Sequence, residues 1–175
     1  DGLWMGHRIE DVATPEAFAR DPATVHEFYN DRRRQLAEVQ PNAAHRALAE
    51  LAARWPGALT LVTQNVDDLH ARAHAEVVPA PGFRLIPMHG ELLKAACPRT
   101  GRISDCPGDL TVDSVSPHHP GGRLRPHIVW FGEMLDPAVL GTSMRAADEA
   151  TNRAVHVDDF GIDVLKETTP RAAAE

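Results

Sequence analysis

Apolar residues follow two rhythms along the chain, and each predicts a different kind of element. Val25, Phe28, Leu36 and Val39 give part of an apolar stripe at helical spacing, and Ala44, Leu48 and Leu51 give another. The helical rhythm stops at Pro56-Gly57 and gives way to the unbroken apolar run Ala58-Leu59-Thr60-Leu61-Val62, which reads as a buried strand. A second short strand is predicted at Arg84-Leu85-Ile86-Pro87-Met88, with Pro87 at its edge or end. A third β-rich run spans Arg125 to Glu133. A buried parallel strand of this kind belongs to an open α/β sheet.

Capping residues set the helix starts. Thr14-Pro15 opens a short helix to Arg20, and Asp21-Pro22 opens a longer one over Ala23 to about Val39. Pro41-Asn42 closes that helix and caps the next, Ala43 to Arg54, whose Ala44, Leu48 and Leu51 are expected to face inward. Asp136-Pro137 opens a helix over Ala138 to Ala150. Beyond it a short strand at Ala154 to Val157 and a frayed tail over Lys166 to Glu175 are expected.

The first predicted strand ends abruptly in Thr63-Gln64-Asn65-Val66-Asp67-Asp68-Leu69-His70. Polar side chains at the carboxyl end of a buried parallel strand stand where open α/β sheets bind ligands. Amides and carboxylates there suit a polar small molecule such as a carboxamide or a ribose. The same residues also read as a polar loop with an Asx turn capping a helix over Asp67 to Arg72.

Composition narrows the class. The 175 residues fit one domain or one domain plus a small module, and 43% hydrophobic content is enough for a core. No apolar run approaches the ~20 residues that span a bilayer. A net charge of -7 argues against a general nucleic-acid or membrane-surface role. Two cysteines, Cys97 and Cys106, make no disulfide framework, so a reducing cytoplasm is the default. No signal peptide is evident, and the opening Asp1-Gly2-Leu3-Trp4, without Met, reads as if cut from something longer.

Three further features carry candidate chemistry. Tyr29, the chain's single tyrosine, shares a helix face with Arg32, and a phenol beside a guanidinium can hold a carboxylate. Arg32-Arg33-Arg34 is also a charge run, and such runs are usually a solvated face, the reading that the residues alone favour. His89, followed by Gly90-Glu91 just past a strand end, can stand open to a cleft and trade a proton near neutral pH; the alternative is a hydrogen-bonded structural histidine. Cys97 to Gly122, with His118-His119, is a loop-rich segment of the kind a metal often holds together. Its cysteines lack Cys-x-x-Cys spacing, so a metal-free loop stays open beside a Cys/His site.

Three segments occur in order: Thr63 to His70, Met88-His89-Gly90-Glu91, and Leu124-Arg125-Pro126-His127-Ile128-Val129-Trp130-Phe131-Gly132-Glu133. The ordered set resembles the sirtuins, NAD-dependent protein-lysine deacylases, over Asp1 to Ala150. It is most similar to the bacterial class that removes succinyl and malonyl as well as acetyl groups. Tyr29-Asn30-Asp31-Arg32 matches that class's Tyr-x-x-Arg, the pair that recognises an acidic acyl group, and Asp1 to Trp4 resembles the end of its cofactor-binding loop.

The resemblance implies a Rossmann-like parallel sheet, incomplete here, with a smaller domain of helical and zinc-module-like insertions. The implied division is 1–40 for the helical part, 41–93 and 125–150 for the Rossmann-like part, 94–124 for the zinc-module-like insertion and 151–175 unassigned. NAD is the implied cofactor, held by Gln64, Asn65, Val66 and Asp67 with Gly2, Leu3 and Trp4. The implied partner is an acylated lysine in a protein or peptide, with Tyr29 and Arg32 at its acyl group and Phe131, Gly132 and Glu133 along its backbone. The acyl oxygen would displace nicotinamide from the ribose, and His89 would act as general base on a ribose hydroxyl, giving free lysine and an O-acyl-ADP-ribose.

Departures from the family pattern set further expectations. The family's first strand and its Gly-Ala-Gly-x-Ser loop would precede Asp1. Gly141-Thr142-Ser143 spells an NAD-contacting motif but falls inside the predicted helix, and reads as coincidence. Cys97 matches the first zinc ligand, whereas Ser116 stands at a second ligand position, so zinc stays open. The rival readings are a peptide-binding remnant without catalysis, an ADP-ribosyltransferase and a small zinc-binding module; the oligomeric state is left open.

Overall fold

The computed structural model describes residues 3–4, 6–77, 82–150, 155–158 and 161–164, with the backbone alone at 3–4, 155–158 and 161–164. Two short strands, β1 (Leu3–Trp4) and β2 (His7–Arg8), pair antiparallel and lead into the one-turn helix α1 (Ile9–Val12). Helix α2 (Pro15–Arg20) starts where Thr14 Oγ1 accepts the Ala17 N–H at 3.0 Å, and α3 (Pro22–Glu38) where Asp21 accepts the Thr24 N–H at 3.1 Å. Each cap supplies an acceptor to a first-turn donor that the helix itself cannot satisfy. The next helix, α4 (Ala43–Arg54), carries a reciprocal cap: Asn42 accepts from the Ala44 and His45 N–H groups, and His45 Nδ1 accepts from the Asn42 N–H.

A parallel pair follows. Strand β3 (Leu59–Thr63), helix α5 (Leu69–Ala75) and strand β4 (Phe83–Pro87) form one βαβ unit, with Leu61 opposite Leu85 and Thr63 opposite Pro87. Helix α4 packs on α5, bringing the His45 and His70 rings to 4.5 Å. Arg72 on α5 reaches back to the Leu36 and Val39 carbonyls and so satisfies acceptors exposed at the end of α3. This unit is the Rossmann-like part of the fold.

Strand β5 (Gly90–Ala96) pairs antiparallel with β6 (Ile103–Asp105) on one side and β9 (Arg125–Ile128) on the other. Between them β7 (Val115–Ser116) and β8 (His119–Arg123) make a small antiparallel pair. Helix α6 (Pro137–Glu149) starts at Asp136, and β10 (Val155–Asp158) pairs with β11 (Gly161–Val164). The main core lies where α1, α2 and α3 meet β5 and Trp130: Val12, Ala17, Val25, Phe28, Tyr29, Leu36, Leu92 and Trp130 are all buried. A second cluster joins Ala95, Cys97, Leu110 and Leu124.

Several sequence expectations change. β5 was not expected, because Glu, Leu, Lys and Ala favour helices; pairing on both edges overrides that preference. Leu51 is 41% exposed, and α4 turns His45, Ala49 and Ala52 inward instead. Val39 lies past the end of α3 and is exposed. The arginine run is not a uniformly solvated face: Arg33 is 3% exposed and donates to the Leu92 carbonyl and Asn30. Asn30 in turn makes two bonds to the Leu110 backbone, at 2.8 and 2.9 Å, and Arg34 is the outward member, paired with Glu27, Asp31 and Asp109. The β-rich run from Arg125 stops at Ile128. Residues 78–81 of the Pro-rich connection and the 165–175 tail lie outside the described residues, while the strand expected near Ala154 is found as β10. No described helix is long and apolar enough to cross a membrane.

Candidate functional site

The parallel register brings the first two motifs together. Thr63 and Pro87 are partners at the ends of β3 and β4, and the Met88 N–H extends the ladder to the Thr63 carbonyl at 2.9 Å. Gln64-Asn65 and His89 therefore leave the same carboxyl edge side by side. Gln64 is exposed, and Asn65, Val66, Asp67 and His89 are half-buried.

Local bonds shape the loop. Thr63 Oγ1 accepts the Asn65 N–H at 3.0 Å, and Asp67 Oδ1 accepts the Leu69 N–H at 2.9 Å in an Asx turn at the start of α5. The Val66 carbonyl accepts the Leu92 N–H at 2.7 Å, stitching the loop to β5. One Asp67 oxygen thus serves the turn, and no bond from the side-chain amide of Gln64 or Asn65 occurs among the described residues. A cleft of about 170 Å³ beside the loop is lined by Val66, Asp67, Asp68, Glu91 and Lys94.

His89 is fixed through its backbone. Its carbonyl accepts the Val129 N–H at 2.9 Å, and Gly90 follows with φ +90°. A Cβ on Gly90 would stand 2.1 Å from the His127 carbonyl oxygen, so the close approach of β9 requires glycine. The His89 imidazole makes no hydrogen bond among the described residues, unlike a histidine held for structure.

The third motif forms a turn. The Glu133 N–H donates to the Trp130 carbonyl at 3.0 Å, and Gly132 takes φ +85°. The Phe131 N–H donates to the Ala13 carbonyl, while the Phe131 side chain is 60% exposed. Glu133 faces inward: Arg125 grips it with two bonds at 2.6 and 2.9 Å, and the Trp130 N–H adds a third at 2.8 Å. Burial works to raise the Glu133 carboxyl, but these bonds and the Arg125 charge hold it below its ordinary value.

Tyr29 is 1% exposed, and its hydroxyl oxygen accepts the Trp130 indole N–H at 3.0 Å. Arg32 lies over the Phe28 ring at 3.3 Å and donates to the Phe28 carbonyl at 2.9 Å. Burial brings Arg32 down to about 10, which leaves it charged at neutral pH. Arg125 and Trp130, both inside the third motif, have no site role in the motif resemblance. The spacing of Arg125 and Glu133 on either side of one aromatic segment was the only sequence signal for them.

Gly2 lies outside the described residues, and Leu3 and Trp4 are described as backbone alone. The buried Cys97 thiol is brought down to about 7 by hydrogen bonding with Ser116, then Thr100. A Cβ on Gly122 would meet Cys97 Sγ at 2.8 Å, and His118 bonds to Ser104. No three His, Cys, Asp or Glu residues gather to hold a metal among the described residues, so the donors around Cys97 do not fit a tetrahedral zinc.

A family model described as the Sir2 family matches residues 1–157, past the Ala150 limit of the motif resemblance. An NAD-dependent protein deacylase of Yersinia pseudotuberculosis serotype I (strain IP32953) is 52% identical over 143 residues, covering 77% of this chain and 47% of that protein. An NAD-dependent protein deacylase of Escherichia coli (strain K12) is 48% identical over 163 residues, covering 90% of this chain and 56% of that protein. A solved Sir2 homolog–NAD complex matches with a TM-score of 0.70 at 38% identity, covering 86% of this chain and 56% of that one. The chain thus spans about half the length of the curated relatives it matches.

Proposed function

The chain belongs to the Sir2 family, and from that premise we propose that it carries the catalytic edge of an NAD-dependent protein-lysine deacylase. The acyl groups are acetyl and the acidic malonyl and succinyl, and the products are free lysine, nicotinamide and an O-acyl-ADP-ribose. One observation carries the reading: His89, whose ring makes no hydrogen bond among the described residues, leaves the sheet beside Gln64 and Asn65.

NAD supplies a ribose whose anomeric carbon can exchange nicotinamide for the acyl oxygen. Gln64 and Asn65 offer amide donors and acceptors to a carboxamide or a ribose, and Asp67 keeps one carboxylate oxygen for a ribose hydroxyl. Asp67 also lines the cleft of about 170 Å³ that Glu91 and Lys94 share. Gly2, Leu3 and Trp4 belong to the same cofactor site in this reading. His89 would accept a proton from a ribose hydroxyl of the bound cofactor, as a general base.

The exposed Phe131 and the adjoining Gly132 and Glu133 lie along an extended acyl-lysine peptide, Glu133 by shaping the turn. Tyr29 and Arg32 receive the carboxylate of an acidic acyl group. Helices over 1–40 and the 94–124 insertion make up the smaller domain, and 41–93 with 125–150 the Rossmann-like one. The site is a cytoplasmic enzyme's, with no nucleic-acid or membrane partner in its chemistry.

Mass-spectrometric turnover of a succinyl-lysine peptide, with and without NAD, tests the reading in the protein that carries this chain. NAD-dependent free lysine and O-succinyl-ADP-ribose are expected, and His89→Ala should abolish both while leaving peptide binding. Peptide binding without any NAD-dependent product would overturn the enzyme reading. NAD consumption that ignores the acyl group would replace it with ADP-ribosyl transfer.

A further inference from the structure

The Tyr29 hydroxyl is a buried donor whose oxygen is already occupied. An indole N–H can only donate, so the 3.0 Å contact from Trp130 Nε1 makes the Tyr29 oxygen the acceptor. The hydroxyl's own proton then points elsewhere, and no acceptor for it occurs among the described residues. Burial first of all pushes Tyr29 up to about 12, so the proton stays on the oxygen at neutral pH. Tyr29 is 1% exposed, which leaves little water to take that proton. A buried donor without an acceptor is costly, and a ligand atom that completes it is favoured for the same reason.

Trp130 cannot easily swing away. Arg125 stacks on its ring at 3.5 Å, Phe18 packs on it at 5.1 Å, and its backbone N–H is held by Glu133. Its indole sits 3% exposed, one residue before Phe131. The peptide-side turn and the acyl-side helix α3 therefore meet in one hydrogen bond between side chains 101 residues apart.

We propose that Trp130 is a specificity-determining positioning residue: by occupying the Tyr29 oxygen, its indole N–H commits the Tyr29 proton to the carboxylate of a dicarboxylic acyl group. The inference rests on the reading of Tyr29 and Arg32 as the acyl-recognition pair. An acetyl group has no distal acceptor to take the proton, whereas a malonyl or succinyl group ends in two carboxylate oxygens. Arg32, one turn further along α3, supplies the charge, and the oriented Tyr29 O–H supplies a directional bond.

The test compares kcat/KM for succinyl-lysine and acetyl-lysine peptides, with NAD, in the wild-type protein and in Trp130→Phe, Tyr29→Phe and the double variant. In Trp130→Phe the succinyl-to-acetyl ratio should fall roughly five- to tenfold, the worth of one hydrogen bond, with the loss in KM for the succinyl peptide. The double variant should be no less selective than Tyr29→Phe, because both changes remove the same bond. A ratio that falls in Tyr29→Phe but stays at the wild-type value in Trp130→Phe overturns the role of Trp130 and leaves the acyl-recognition reading standing. A ratio unmoved by Tyr29→Phe overturns both.

A measurement on the wild-type protein covers the case in which Trp130→Phe does not fold. The 15N-labelled Trp130 indole signal should move downfield when a succinyl-lysine peptide binds, because a Tyr29 oxygen that donates its proton accepts more strongly. An acetyl-lysine peptide should not produce that shift. The same signal position with both peptides overturns the proposal.

Discussion

Arg125 and Glu133, eight residues apart, close on each other through two bonds of 2.6 and 2.9 Å, with the Trp130 ring stacked beneath the guanidinium. Their side chains are only 17% and 24% exposed, so the pair is screened far less than a surface ion pair. It fixes the turn that presents Phe131.

Glu133→Gln keeps the side-chain shape but removes the charge opposite Arg125. The expected loss of stability is about 1.5–3 kcal/mol, read by urea unfolding. KM for acyl-lysine peptides should rise with it. Unchanged stability and KM would show that the pair does not hold the turn.

Arg32→Met removes the guanidinium, whose central carbon lies 3.3 Å over the Phe28 ring, and keeps an unbranched side chain of similar reach. Desuccinylation should fall relative to deacetylation by about 1.5–3 kcal/mol in kcat/KM, the size of a charge-assisted bond. An equal fall on both peptides would make Arg32 a structural residue.

Gly90→Ala should be among the most damaging single changes. A methyl group there stands 2.1 Å from the His127 carbonyl, and φ is +90°, so β5 and β9 must separate. A cost of several kcal/mol, upwards of ~3, is expected. His89 lies one residue away, so turnover should drop further than the folded fraction does. A variant with wild-type melting and turnover would contradict the close approach.

Stability should decline as pH falls from about 6.5. His26 is 3% exposed beneath Phe18, and burial first, then the Arg33 charge, brings it down to about 4. Between those values the unfolded chain binds the proton that the folded chain refuses, so the unfolding free energy rises with pH across that window. Melting temperature should therefore drop from pH 6.5 toward pH 4, with a shallower slope in His26→Phe. Glu133 adds to the loss at the acid end: its lowered carboxyl stabilises the fold above its unfolded value of about 4.5 and ceases to as pH falls further. A slope unaltered by His26→Phe would assign the pH dependence elsewhere.

The sequence by itself determined the elements whose causes are local. Thr14, Asp21, Asn42 and Asp136 start the helices because each side chain satisfies donors two or three residues away. Apolar runs marked β3 and β4, although the structure buries only Leu61, Thr63 and Ile86 of them and leaves Thr60 and Arg84 exposed. The order of the three motifs gave the family and named His89, Gln64, Asn65 and Asp67. Only the tertiary structure decided what rests on partners far along the chain. β5 became a strand against its own helix-favouring residues because β6 and β9 supplied bonds on both edges. Arg33 left the solvated run because the Leu92 carbonyl lay within reach, and Trp130 found Tyr29 across 101 residues. Such pairings depend on which backbones the fold brings together, and the spacing of residues along the chain does not contain that information.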